Sequence, residues 1–136
     1  VNEGPVLIIC ADHDLGQQLT SALAGIPLLL VSEGESAIEV LWDGNPVAVV
    51  VDFDLPRMSG YDVLRHLSMR RPELLKRTIV LIDPEDGTLP LIEDVPVGYR
   101  APKPLDLVAL ARIVRRIADP VPAESSRDEG RTSQRS

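Results

Sequence analysis

Asp52 closes the most apolar run of the chain, residues 47–51 (VAVVV), and leads into Phe53-Asp54-Leu55-Pro56-Arg57-Met58-Ser59-Gly60. A carboxylate at the end of such a run projects beyond a buried strand into a crevice, although an isolated strand-end Asp can also simply terminate its strand. Other chemically competent groups also follow apolar runs. Cys10 and Ala11 precede Asp12, His13 and Asp14, Asp83 follows residues 78–82 (TIVLI), and Lys103 lies between Pro102 and Pro104. An ammonium beside Asp52 could pair with it directly, without any third party. A thiol near that ammonium could be reactive, since neighbouring cations lower a thiol pKa. A small buried hydrophobe is the commoner role for such a cysteine, and it is the expectation for Cys10. His13 is expected to be a surface residue, and Trp42 and the methionines are expected to be packing.

These residues need elements to hold them. Apolar runs at 6–10 (VLIIC), 27–31 (PLLLV), 47–51 and 78–82 are rich in Val, Ile and Leu, as strands buried on both faces of a parallel sheet are. A fifth run at 97–101 (VGYRA) is weaker, as suits an edge. Helical periodicity falls between them: Leu15, Leu19, Ala22 and Leu23; Ala37, Ile38, Leu41 and Trp42; Val63, Leu64 and Leu67; and Leu107, Leu110, Ala111, Val114 and Ile117. Ser59 is expected to cap the third of these, and Asp106 either to cap the last or to sit in its first turn. Residues 83–96 (DPEDGTLPLIEDVP) contain three prolines, so the fourth helix is expected to be shortened or irregular. The alternation predicts an α/β fold, a doubly wound five-stranded parallel sheet, whose ligand crevice lies beyond the carboxyl ends of the strands.

The chain has 136 residues, enough for one ordinary domain, and a formal net charge of −7. That balance argues against nucleic-acid binding, which normally shows a basic stripe. One cysteine excludes an internal disulfide framework and a Cys-rich zinc site. No apolar run approaches the ~20 residues of a membrane helix. No basic, apolar, small-residue signal stands at the start, and a cytoplasmic location is the expectation. A chain starting at Val1 is expected to be a piece of a longer protein. Residues 119–136 are polar and rich in Pro, Ser and Gly, so they are expected to form a disordered tail or linker after a domain spanning residues 1–118. Four of the 21 acids and three of the 14 bases fall in that tail, leaving 17 acids and 11 bases in the domain.

The run from Asp52 to Gly60 resembles the D-x-x-L/M-P-x-M-x-G signature of two-component response-regulator receiver domains. The stretch VLIICADHDLGQQL is similar to their first strand and helix start. Gly34, Ala37 and Leu41 match the G-x-x-A-x-x-x-L pattern of their second helix, and Lys103-Pro104 resembles their Lys-Pro pair. The resemblance covers roughly residues 5 to 118. It implies a flavodoxin-like fold with strand order 2-1-3-4-5 and places Asp52 at the phosphoacceptor position, the target of a histidine kinase. It also implies Mg²⁺ held by two acids at the end of the first strand together with the acceptor, and a Ser or Thr hydroxyl and a Lys on the phosphoryl oxygens. Catalysis at such a site is positioning plus neutralisation of charge.

The sequence departs from that pattern at three places. The acidic-pair positions hold Cys10 and Ala11, neither of which is a hard oxygen donor for Mg²⁺. Asp12 could enter the site only through a one-residue bulge, and an acid opening the first helix is the expectation for it. The hydroxyl position holds Asp83, which would repel a phosphoryl group when ionised and could instead share Lys103 with Asp52. The position of the aromatic switch residue holds Arg100, with Tyr99 next to it.

Two functions follow. The first is a degenerate, pseudo-receiver-like signalling domain that binds a protein partner without phosphorylation and needs no cofactor. Its expected contact face is the fourth-helix region, the fifth strand and the last helix, where a homodimer or a signalling partner such as a kinase or output domain would dock. The second is a working phosphoacceptor, at most self-phosphorylating and autodephosphorylating at Asp52, with a Mg²⁺ site rescued by Asp12 or Asp54. A nucleotide binder of the same fold is disfavoured, because CADHDLGQQ holds a single glycine where a phosphate loop needs several. Neither nucleic acid nor membrane is an expected partner of this domain.

Overall fold

The computed structural model describes residues 4–84 and 95–118. Five strands, β1 (Val6–Ile9), β2 (Leu28–Val31), β3 (Ala48–Asp52), β4 (Thr78–Ile82) and β5 (Tyr99–Pro102), form one parallel sheet in the order β2-β1-β3-β4-β5. Parallel neighbours require crossovers. Helices α1 (His13–Ala22), α2 (Gly34–Asp43) and α3 (Gly60–Arg70) supply three of them. The expected fourth helix falls mostly on residues 85–94 and the expected tail on 119–136, both outside the described residues. The label α4 therefore goes to the last helix, Leu107–Ala118.

Strand side chains alternate between the two faces of the sheet, and this divides the core into two layers. Leu7, Ile9, Val49, Val51, Val80 and Ile82 pack under α2 and α3, against Ala37, Leu41, Val63, Leu64 and Leu67. Val6, Ile8, Ala48, Val50, Ile79 and Leu81 face the other way, onto Leu19 and Leu23 of α1 and Leu110 and Val114 of α4. The expected caps are present. The Ser59 hydroxyl accepts from the Asp62 N–H while Asp62 accepts from the Ser59 N–H, and Asp106 accepts from the Ala109 N–H at 3.1 Å.

Three expectations need correction. β2 is an edge strand and is not buried on both faces. Leu29 and Leu30 are 38% and 45% exposed, because only β1 pairs with it. Trp42 is not core packing either. It is 56% exposed, one helical step round from buried Leu41, and the Arg70 guanidinium stacks 4.2 Å from its ring centre. Met69 is likewise 74% exposed, while Met58 is half-buried against the core. The sequence reading also missed a 3₁₀ helix at Pro72–Arg77, although Pro at its start, Glu73 in its first turn and Lys76 and Arg77 in its last are the usual signals.

Candidate functional site at the carboxyl edge of the sheet

The register sets the site. Ile9 lies beside Val51, Asp52 beside Leu81, and Ile82 beside Pro102. The residues leaving these strands, Cys10, Asp52, Asp83 and Lys103, therefore emerge along one edge. The backbone reinforces the alignment, with the Phe53 N–H on the Leu81 carbonyl at 3.0 Å and the Lys103 N–H on the Ile82 carbonyl at 2.8 Å. The Lys103–Pro104 peptide is cis.

At the centre the Asp52 side chain is only 3% exposed. Burying a carboxylate is costly unless it is paired and hydrogen-bonded. Lys103 Nζ donates to Asp52 Oδ1 at 2.9 Å, and the Asp54 N–H donates to the same oxygen at 3.1 Å. The Cys10 thiol lies 3.8 Å from Oδ2 and 3.5 Å from the Asp12 carbonyl, so its proton has two acceptors within reach. Burial pushes that thiol up to about 11, a backbone hydrogen bond from Asp12 partly offsets this, and the charge of Asp52 adds to it. Cys10 is thus a protonated, buried group at neutral pH and not a reactive thiolate. Burial alone would lower Lys103, but the hydrogen bond and charge of Asp52 prevail, with Asp54 and Cys10 adding, and hold it above the usual lysine value.

The loop after Asp52 is shaped by its own residues. Arg57 takes a left-handed φ of 61°, and its guanidinium reaches Glu33 at 2.8 Å and Glu35 at 3.6 Å. At Gly60 a Cβ would sit 2.6 Å from the Phe53 Cα and 2.9 Å from the Asp52 carbonyl oxygen, so only glycine lets α3 begin this close to the site.

The other singled-out residues fall at or beyond the rim. Asp12 is the N-cap of α1, accepting from the Leu15 N–H at 3.2 Å, as an acid at a helix start would. Ala11 is exposed and has no donor atom on its side chain. Asp54 is exposed, and its backbone N–H rather than its carboxylate meets Asp52. Asp83 is half-buried just past the end of β4. Arg100 lies on β5 beside Val80, exposed, with a guanidinium N–H on the Val95 carbonyl at 2.9 Å, and Tyr99 is 36% exposed. His13 is exposed at the start of α1.

This donor set does not suit Mg²⁺, which takes hard oxygen ligands in near-octahedral array. Cys10 and Ala11 offer a protonated thiol and a methyl, neither of them a hard oxygen donor, and Lys103 already holds one Asp52 oxygen. Among the described residues no group of three His, Cys, Asp or Glu side chains could hold a metal ion. No helix among them is long and apolar enough to cross a membrane.

No protein-family model matches the chain. It is 27% identical over 124 residues to the transcriptional regulatory protein DegU of Brevibacillus brevis, a match covering 87% of this chain and 52% of that protein. It is 32% identical over 103 residues to a protein-glutamate methylesterase/protein-glutamine glutaminase of Nitratidesulfovibrio vulgaris, covering 74% of this chain and 28% of that protein. The chain thus spans about half or less of the length of these curated relatives. Among solved structures it superposes on the signal receiver domain of a signal transduction histidine kinase from Syntrophus aciditrophicus. The TM-score is 0.75 and the identity 25%, with 90% of this chain and 96% of that one covered.

Proposed function

The chain is a receiver domain of the two-component response-regulator family, and from that premise we propose that it is a degenerate receiver, a signalling module that works through protein contacts and not through phosphorylation of Asp52. The observation that carries this reading is the closed constellation around Asp52. One oxygen is neutralised by Lys103, the other faces a protonated thiol, and the positions that would gather Mg²⁺ are Cys10 and Ala11. Phosphoryl transfer to a carboxylate needs positioned cations to balance the developing charge. Among the described residues the one cation at the site, Lys103, is committed to the acceptor itself. Asp83 adds a carboxylate where a hydroxyl would hold the phosphoryl group, and ionised it repels one. The module itself performs no turnover.

The alternative, a working phosphoacceptor with a rescued metal site, draws on the retained Asp52 and Lys103. The commitment of Asp12 to capping α1 counts against it, and so does the exposed position of Asp54. The partners of this module are signalling proteins such as kinases or output domains. The described part of the expected contact face is β5 and α4, with Tyr99, Arg100 and Val108 exposed.

Mg²⁺ titration tests this reading. A ligand that binds only the folded state at tenfold above its Kd adds about 1.4 kcal/mol of stability. The thermal midpoint of this chain is expected to stay unchanged on adding millimolar Mg²⁺, and calorimetry is expected to show no heat of binding. The double variant Cys10→Asp, Ala11→Asp is expected to gain a Mg²⁺-dependent rise. A saturable Mg²⁺ response in the unaltered chain that is lost in Asp52→Asn would overturn the reading.

A further inference from the structure

Two helices on opposite faces of the sheet carry matching patterns of opposite sign. On α2 the outward stripe is Glu35, Glu39, Trp42 and Asp43; on α4 it is Val108, Arg112, Arg115 and Arg116. Both follow the spacing i, i+4, i+7, i+8, which places four side chains on one helical face. α2 contains no basic residue and α4 no acidic one. The stripes belong to different layers, since α2 packs on one core cluster and α4 on the other. They cannot meet within one molecule.

The α4 stripe borders an apolar groove of about 400 Å³ lined by Ala22 of α1 and by Leu107, Val108, Ala111, Arg112 and Arg115. Val108 is 70% exposed at its lip. Arg115 is pinned to the Ala24 carbonyl at 3.1 Å, while Arg112 and Arg116 make no ion pair among the described residues. On α2, Trp42 is the only tryptophan of the chain. Arg70 covers one side of its ring and fixes its position, yet more than half of the residue remains exposed. Arg71 locks the C-terminal end of α2, donating to the Leu41 and Gly44 carbonyls at 3.0 and 3.4 Å.

We propose that the α4 groove of one molecule receives the α2 stripe of a second copy, antiparallel, with Trp42 against Val108 and the groove, and Glu35 and Glu39 against Arg112, Arg115 and Arg116. A twofold contact of α4 with α4 would instead set arginines against arginines. The favoured contact is therefore head-to-tail, joining different surfaces, so chains of molecules grow with concentration. A polyanionic partner suits the groove less well. The net charge of −7 repels DNA and acidic membranes, and neither fills an apolar groove with an aromatic knob. In 0.15 M salt the screening length is about 8 Å, so local complementarity outweighs net repulsion. A single helix in a groove is a small interface, and the association is weak and reversible.

Charge reversal on the full chain tests this. The double variant Arg112→Glu, Arg116→Glu and the single variant Glu39→Arg change only exposed residues that make no ion pair among the described residues and lie outside the Asp52 site. Glu35 is left in place because it also faces Arg57 at 3.6 Å, and circular dichroism checks that each variant is folded. Sedimentation of the unaltered chain is expected to show average mass rising with concentration, and Trp42 emission is expected to shift with it. Each variant alone is expected to self-associate at least ~10-fold more weakly. An equimolar mixture of the two is expected to restore association, because both variants remain net negative and only the paired stripes attract. Any one of three results would overturn the proposal: a strictly monomeric unaltered chain, a closed dimer indifferent to both variants, or α4 arginines that act only in binding DNA or acidic vesicles.

Discussion

Replacing Lys103 with Met lowers folding stability by about 3 kcal/mol, the scale of breaking a buried ion pair from one side. The Asp52 carboxylate is then left buried with only the Asp54 N–H and a thiol, whereas Met fills much of the space of the lysine stem. Replacing Asp52 with Asn costs far less, about 1 kcal/mol, because the Lys103 side chain is 26% exposed and can swing its ammonium to water. Urea unfolding of the two variants measures the asymmetry. Equal losses, or a neutral Lys103→Met, would show that the pair does not hold the site.

The pair also sets a pH limit. Lys103 is raised in the folded state, so its contribution is complete below the ordinary lysine pKa, about 10.4. It is lost as pH rises through the raised folded value. Urea unfolding against pH is expected to show that Lys103→Met lacks this part of the alkaline loss and keeps the part due to Cys10, whose raised thiol costs stability as pH climbs from the ordinary thiol value towards about 11.

Replacing Gly60 with Ala is expected to cost about 3 kcal/mol, at the upper end for overpacking. The added Cβ would meet backbone atoms, Phe53 Cα at 2.6 Å and Asp52 O at 2.9 Å, and neither can rotate away. The start of α3 or the end of β3 must shift, and either shift disturbs the Asp52–Lys103 pair. Gly16→Ala is the control. There the Cβ meets only the two Leu30 methyls, at 3.4 and 3.7 Å, and alanine in a helix gains about 1 kcal/mol over glycine. Thermal unfolding of the two variants should move in opposite directions. A Gly60→Ala protein as stable as the parent would mean that the close approach at this loop is not required.

The buried strands were the most legible part of the fold. β1, β3 and β4 are nearly continuous runs of Val, Ile and Leu, a composition that a doubly covered parallel sheet demands. β2 reads the same way in sequence, and only its place in the strand order makes it an edge with Leu29 and Leu30 exposed. Trp42 was misplaced because apolar periodicity cannot separate a residue 100° round the helix from the buried Leu41 beside it. The site was legible in a different way. Nothing local links Asp52 to Lys103, which are 51 positions apart, and the resemblance in the loop after Asp52 and at Lys103-Pro104 brought them together. The left-handed Arg57 was not legible, since non-glycine residues adopt that conformation only where surrounding structure compels it.

On the proposed reading, Asp52 sits on a receiver scaffold whose surroundings no longer support phosphoryl transfer. The most direct test incubates the full chain with acetyl phosphate and Mg²⁺ beside a conventional receiver domain, and weighs the intact proteins by mass spectrometry. The conventional domain should gain a phosphoryl group and this chain should not. Added phosphoryl mass on this chain that disappears in Asp52→Asn would contradict the account.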